Sequence, residues 1–482
     1  MPSSDPVEHL PPEIVDEILG LIWGASLSCE DPPESLNAIG PLAAVSRKWK
    51  PLIERITFRE LVLTPRRVLE ALEVKYYASE GLLNTRAVLL DLPHAFCTDG
   101  DLDEDTDKLD RRVVEEHFNK SIHQIFEFLK RLPSLERPHL KLTTGSEECC
   151  GSSCKAYDVE FIKLDANWEN LPELPMVLSF NCFYYHMASL SPQTYCRLAS
   201  KMTRLDQIDW IMRDRLSRHR PAQVKDRSSE SFAINHPHLA LSNSAPDLGR
   251  SLDLLPKSLT KFELNIFSPP YNRSHHAREL MHTGLPDDIF SQGVRRLIQR
   301  DGIIEVSLQA SVDSNMFCPT QGSQEDLIHC PTLKKLKINF LSDYHYKKLM
   351  VHGDDLVDPI RTYGQDTEGP DFSNSNEGNS RGTTRAGERE RRQKTMDRFL
   401  LAAARSVSHM PKIVYFSCCF PGKGFEGFTF NKQAADPYEG LKVYEDPEKF
   451  RLSKAAWNAW KTTSETHGIE FHPLIIDNIE ID

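Results

Sequence analysis

Short apolar runs, several of them led by a proline, recur along this chain and restrict its fold more than any other feature. Leu254-Leu255-Pro256 leads into Leu259-Thr260-Lys261-Phe262-Glu263-Leu264. Ile328-His329-Cys330-Pro331 leads into Leu333-Lys334-Lys335-Leu336-Lys337-Ile338, and His409-Met410-Pro411 into Ile413-Val414-Tyr415-Phe416. Nearer the N-terminus, Phe126 to Leu132 reads as a helix end, followed by Pro133-Ser134-Leu135 and then His139-Leu140-Lys141-Leu142. Isolated members are Arg86-Ala87-Val88-Leu89-Leu90, Glu160-Phe161-Ile162-Lys163-Leu164 and Ile304-Glu305-Val306-Ser307-Leu308. A proline fits just past a helix because it cannot continue one. Short apolar runs bounded by turn residues read as strands. The order helix, proline turn, strand, repeated, predicts an α/β fold.

The Leu-x-x-Leu-x-Leu spacing of these runs resembles leucine-rich repeats, in which one strand per repeat lines a concave sheet. The intervals here are irregular and often longer than the roughly 20–29 residues of a standard repeat. The resemblance implies a degenerate, insertion-rich solenoid. An ordinary α/β domain, with helices crossing over a parallel sheet, alternates in the same way. Periodicity does not separate the two.

Two stretches break the pattern. Asp99 to Asp110 is strongly acidic and reads as a solvated loop. Gly353 to Lys394 is rich in Gly, Asp, Glu, Ser, Asn and Arg, with almost no large apolar residue after Tyr363. Such a segment buries too little surface to offset its ordering entropy, so an insertion or disorder is expected over 353–394. Its end, Arg385 to Lys394, is basic; a nuclear-import signal and a plain solvated charge run both fit.

Composition narrows the function classes. A length of 482 residues gives a prior of two to four domains. A formal net charge of −12 argues against general binding to nucleic acid or anionic membranes. No apolar run approaches the roughly 20 residues that span a bilayer. Met1 to His9 is polar and acidic, which argues against a secretory signal. The 11 scattered cysteines fit reduced thiols, so a cytoplasmic or nuclear location, or both, is expected.

The region from His9 to Leu61 has its own logic. Pro11 and Pro12 suit a first helical turn, where the missing N–H costs nothing. Glu13, Asp16 and Glu17 place negative charge at the positive end of the helix dipole. Ile14, Ile18, Leu21 and Ile22 then form one apolar face. Asp31-Pro32-Pro33-Glu34 reads as a loop. Pro41 can open a second helix, on which Leu42, Val45 and Trp49 share a face before Pro51 stops it. Leu52, Ile53 and Ile56 offer a third short stripe. Three short helices bury little surface alone. Their apolar faces either pack on the rest of the chain or meet a partner.

The order Leu-Pro-x-Glu-Ile, then Ile-Leu, then Val-Ser-x-x-Trp, then Ile and Phe, is similar to the F-box family throughout. In that family the module plugs a substrate receptor into a cullin-type ubiquitin ligase by binding a Skp-type adaptor. The resemblance carries adaptor binding over to Leu10, Pro11, Ile14, Ile18, Leu42, Val45, Trp49, Leu52 and Ile53, with Ser46 and Arg47 at the polar positions between. The stretch from Trp23 to Asn37 is longer than the usual link. Phe58-Arg59-Glu60-Leu61, running into Pro65-Arg66-Arg67-Val68-Leu69, resembles F-box proteins of filamentous fungi, where an Arg-Arg segment leads into an irregular leucine-rich-repeat region. Phe118 to Leu132 and the late Trp457-x-x-Trp460 helix resemble the same group. This implies an F-box at 9–61 and an irregular leucine-rich-repeat-like α/β domain at 62–482.

Other chemistry finds little support. Cys149, Cys150 and Cys154 are close enough to suggest zinc, with His139 as a distant ligand, but the paired spacing of a zinc finger is missing. Cys418-Cys419 follows a strand-like run and reads as buried core. His275-His276 lacks the spacing and glutamate of a zinc hydrolase. Pro421-Gly422-Lys423-Gly424 lacks the full phosphate-loop form. No catalytic residue, cofactor or metal ligand is assigned. The resemblance implies a non-catalytic receptor that joins a Skp-type adaptor, a cullin and a RING protein to an unknown target, holding the target's lysine near activated ubiquitin. A protein-interaction scaffold outside any ligase, and an enzyme with its site in the C-terminal region, remain the alternatives.

Overall fold

The computed structural model describes residues 60–73, 87–92, 111–132, 139–144, 162–183, 190–213, 244–267, 289–310, 312–318, 328–340, 396–420, 426–432, 441–444 and 453–469, together with Pro11, Ile14, Glu17, Ile18, Lys50, Ile53 and Lys394. The chain divides into two compact units, 1–210 and 211–482.

In the first unit, strands β1 (Glu60–Leu63), β2 (Ala87–Leu92), β3 (His139–Thr144), β4 (Ser179–Phe183) and β5 (Gln207–Arg213) pair in parallel, each with the next in the chain. Helix α1 (Pro65–Glu73) follows β1 and contacts α2 (Arg111–Arg131), which lies between β2 and β3. On α2, Phe118, Ile122, Ile125 and Leu129 fall on one stripe and are buried. Helix α3 (Pro192–Ser200) is started by Ser191, whose hydroxyl accepts from the Thr194 N–H, with Pro192 as the first helical residue. It buries Tyr195 against Trp210, with ring centroids 5.6 Å apart, and Phe180 meets Trp210 edge-on at 5.9 Å.

In the second unit, β6 (Lys261–Phe267), β7 (Glu305–Gln309), β8 (Lys335–Asn339) and β9 (Tyr415–Phe420) are parallel, again in chain order. Then β10 (Glu426–Asn431) pairs antiparallel with β9, and β11 (Leu441–Tyr444) antiparallel with β10. The reason is length. Parallel pairing needs a crossover of about a dozen residues or more, and the link from Phe420 to Glu426 is too short for one. The architecture is thus mixed α/β with mostly parallel pairing.

One burial pattern recurs from β4 to β9. Val177–Phe180–Cys182, Leu205–Ile208–Trp210, Leu259–Phe262–Leu264, Ile303–Val306–Leu308, Leu333–Leu336–Ile338 and Ile413–Phe416–Cys418 are all buried at i, i+3 and i+5. A shared backbone device accompanies it. The Thr260 carbonyl accepts from both Ile304 and Glu305, at 2.8 and 3.1 Å. The Ile304 carbonyl accepts from Lys334 and Lys335 at 2.8 and 3.1 Å, and the Lys334 carbonyl from Val414 and Tyr415 at 2.9 and 3.0 Å. In the first unit, the Leu178 carbonyl accepts from Asp206 and Gln207 at 2.8 and 3.0 Å. The starts of β5, β7, β8 and β9 are therefore each clamped by two successive N–H groups on one oxygen. Before β7, where no proline makes the turn, Gly302 does so at φ +97, a region that favours glycine; the turn before β5 uses neither residue.

Helices close the second unit's core. Helix α4 (Ser244–Ser251) meets α5 (Ile289–Ile298) at Gly249 and Gly293, where a Cβ on Gly293 would clash with the Gly249 carbonyl. Arg296 reinforces the crossing through Asp253 at 2.9 Å and the Gly249 carbonyl at 3.1 Å. Arg300 donates to the Leu252 and Leu255 carbonyls just past α4. Helix α6, 396–407, is tied to α7 (Lys454–His467) by Thr463 Oγ1, which donates to the Ala404 carbonyl at 2.9 Å, and by Asp397, which accepts from the Ser453 N–H at 2.8 Å. Trp460 on α7 packs on Phe428 and Phe416, with centroids 3.9 and 5.5 Å away.

One strand expectation fails. Among the described residues of that run, Ile162 to Leu164, there is a single bridge, from Ile162 to Leu190, and no strand. Side chains take the backbone groups that a neighbouring strand would use. Glu115 accepts from the Lys163 N–H, Thr194 from Leu164 and Asn119 from Asp165, at 3.2, 3.1 and 2.9 Å. The expected loop at 99–110 lies outside the described residues, as does the expected insertion at 353–394 except for Lys394.

Candidate functional site

Side chains alternate across a strand, so the residues between the buried ones on β6 to β9 face the opposite way. The register aligns them in three rows. Lys261, Glu305, Lys335 and Tyr415 form the first, Glu263, Ser307, Lys337 and Ser417 the second, and Asn265, Gln309, Asn339 and Cys419 the third. Strand β10 extends the rows with Asn431, Thr429 and Gly427. Lys261, Glu263, Lys335, Lys337 and Cys419 are exposed, Asn265, Gln309 and Asn339 are half-buried, and Ser417 is buried. The rows on these four strands hold no aliphatic side chain beyond the lysine stems. The opposite face stacks Phe262, Val306, Leu336 and Phe416 in one buried row and Leu264, Leu308, Ile338 and Cys418 in the next.

Within the open face, Lys335 Nζ lies 3.0 Å from Glu305 Oε1. Both groups are partly solvated, so the pair contributes about 0–1 kcal/mol and mainly fixes orientation. The third row differs in kind. Asn265, Gln309 and Asn339 are carboxamides, which both donate and accept hydrogen bonds. An uncharged row of this type can match the alternating N–H and C=O groups of another polypeptide.

The thiols divide by face. Burial pushes the Cys418 thiol well above its ordinary value and pushes Cys182 and Cys330 up to about 12. A thiol held neutral at physiological pH is a poor nucleophile. On the open face, partial burial of its sulfur raises the Cys419 thiol while the Lys337 ammonium acts in the opposite direction. The sequence reading of Cys418-Cys419 as core therefore holds for Cys418 and not for its neighbour, which is exposed.

Ser408 and His409 are also close, with Oγ 3.0 Å from Nδ1. Yet Ser408 Oγ donates to the Arg405 carbonyl at 2.7 Å, and His409 Nδ1 lies 2.8 Å from that same oxygen. Both side chains satisfy a carbonyl at the end of α6, a capping role rather than a nucleophile–base pair. Among the described residues no group of three or more His, Cys, Asp or Glu could hold a metal ion, and no helix is long and apolar enough to cross a membrane. Cys149, Cys150, Cys154 and His275-His276 lie outside the described residues.

Of the residues tied by resemblance to adaptor binding, four are described. Pro11 is exposed, and its carbonyl accepts from the Ile14 N–H at 3.1 Å. Ile14 is helical and 41% exposed, Ile18 is half-buried, and Ile53 is 1% exposed. Leu10, Leu42, Val45, Trp49 and Leu52 lie outside the described residues. The carboxamide row was not singled out by sequence reasoning. Its only trace there is a polar residue directly after Leu264, Leu308 and Ile338, which means little until the strands are in register.

Comparison of the chain with protein families, curated proteins and solved structures gives no match.

Proposed function

We propose that the chain is the substrate-recognition subunit of an SCF-type ubiquitin ligase. The helical region at 9–61 is an F-box that binds a Skp-type adaptor, and the remainder is an irregular leucine-rich-repeat-like solenoid that holds a target protein. The observation that carries the reading is the one-sided sheet of the second unit, with an apolar face buried and a polar face in register that is exposed at Lys261, Glu263, Lys335 and Lys337. Parallel crossovers are right-handed in roughly 98% of cases. Unreversed strand order then places successive crossovers on one side of the sheet, as in a repeat array, whereas a doubly wound fold reverses its order. The recurring i, i+3, i+5 burial and the shared carbonyl clamp support repeats of one kind.

For the N-terminal region, support comes from the Leu10-to-Phe58 motif order and from Ile14, a large apolar residue left exposed on a helix. Partner interfaces draw on such residues. Ile53 then serves the inside of the module and Ile14 its contact face. The chain does no chemistry itself; its partners supply ubiquitin transfer, and it supplies proximity.

Affinity purification from cells, comparing wild type with Leu10→Ala plus Pro11→Ala, tests this. Adaptor and cullin should be lost from the variant while bound targets stay or accumulate. Undiminished adaptor capture overturns the assignment. A scaffold outside any ligase would keep its targets without cullin in either sample.

A further inference from the structure

We propose that Asn265, Gln309 and Asn339, with Lys337 beside them, hold an extended acidic segment of the target polypeptide. This deepens the reading of the open face as the target-binding surface and rests on it. Three observations lead to it. First, the carboxamides occupy the same register position on three successive strands. Neighbouring strands lie roughly 4.8 Å apart, so the outer two are roughly 9–10 Å apart. Three residues of extended chain cover about the same distance, at about 3.1–3.4 Å each. A backbone lying along the row therefore meets each carboxamide with a polar group. Each carboxamide can return both bonds that a peptide unit offers, which a lysine or a carboxylate cannot.

Second, charge on the face is uneven. Glu305 is engaged with Lys335, and with Lys261 and Glu263 counted the face on β6 to β9 carries three lysines against two glutamates. Among the described residues of β6 to β9 on this face, one positive charge is therefore in excess, and Lys337 is the lysine in the row next to the carboxamides. In a chain of formal net charge −12, a local cation beside a neutral hydrogen-bonding row selects carboxylate side chains. Third, apart from the half-buried Tyr415 at one corner, the described rows hold no aromatic or aliphatic anchor for a folded partner's apolar patch. A segment bound through its backbone needs no such anchors.

The test uses the full chain and a fluorescein-labelled peptide of three Gly-Asp-Ser-Glu units, read by fluorescence anisotropy at low salt. The same peptide with lysine at each acidic position and a backbone N-methylated acidic peptide serve as comparisons. The acidic peptide should bind, with each comparison peptide about tenfold weaker or more. Joint replacement Asn265→Ala, Gln309→Ala and Asn339→Ala should weaken the acidic peptide by about tenfold or more, and Lys337→Glu should abolish its preference over the lysine peptide. Arg66→Ala, on an exposed residue of α1 in the first unit, should leave binding unchanged, and unchanged thermal melting shows that each variant folds. Equal binding of the lysine peptide, an unaffected triple variant, or no binding of the acidic peptide at millimolar concentration each overturns the proposal. Adaptor capture is read separately on the same protein. Its loss from wild type sinks the ligase reading, whereas failure of the peptide with adaptor capture intact sinks this proposal alone.

Discussion

The two faces of the second unit's sheet obey different rules. On the buried face, Phe262, Val306, Leu336 and Phe416 need only be apolar and of fitting size, and the rows they make follow from local spacing. On the open face, the rows acquire meaning only through register, because each residue is an ordinary polar strand residue by itself. The difference separates what holds the sheet together from what the sheet presents. It also sets the expected scale of substitutions on each side.

The largest effect belongs to Trp460, which covers Phe416 and Phe428 from α7. Trp460→Ala should destabilise by about 3–5 kcal/mol in urea unfolding. Trp460→Phe should cost far less, since the buried indole nitrogen has no hydrogen-bond partner among the described residues and so loses none. Gly293→Ala comes next. Its Cβ would push α5 off α4 at Gly249, and a loss of about 1–3 kcal/mol is expected in the same measurement.

A smaller, pH-dependent effect marks the buried thiols. Cys182 and Cys330 are held at about 12 against an ordinary 9.0. The folded chain keeps these protons while the unfolded chain releases them. Their stabilising effect is therefore full below pH 9 and is lost progressively as pH rises from about 9 towards 12. Urea midpoints at pH 8 and pH 10 should show this, and Cys330→Val should flatten the change.

Substitutions on the open face should move stability least. Lys337→Ala and Asn339→Ala are each expected within about 0.5 kcal/mol of wild type. A cost near that of Trp460→Ala would break the contrast between the faces. Cys418 and Cys419 sharpen it without mutation. In native protein, iodoacetamide at pH 8 should modify Cys419 well before Cys418, as read by tandem mass spectrometry.

The sequence was most legible where local pattern suffices. The Leu-x-x-Leu-x-Leu runs marked β6, β7 and β8, and the Met-Pro-Lys-Ile run marked the start of β9. Strands β4 and β5 carry the same burial through Val177, Phe180 and Cys182 and through Leu205, Ile208 and Trp210. A reader looking for leucines passes over them. The false strand near Ile162 shows the converse. Its apolar run is real, but side chains of Glu115, Asn119 and Thr194, distant in sequence, claim its backbone. The carboxamide row was illegible because its members lie on strands separated by long, unequal connections. Spacing along the chain carries no information about which strand residues stand side by side.

Those unequal connections have a consequence. Since one carbonyl oxygen receives two successive N–H groups at the starts of β7, β8 and β9, alignment there is measured at the clamp and not by the length of chain leading to it. The chain between β8 and β9 is far longer than that between β7 and β8, yet Lys334 meets Val414 and Tyr415 as Ile304 meets Lys334 and Lys335. The cost of closing a loop rises only slowly with its length. Such a scaffold can gain or shed whole segments between strands while its outward-facing rows stay aligned, so the connections are free to diversify without disturbing the surface that they frame.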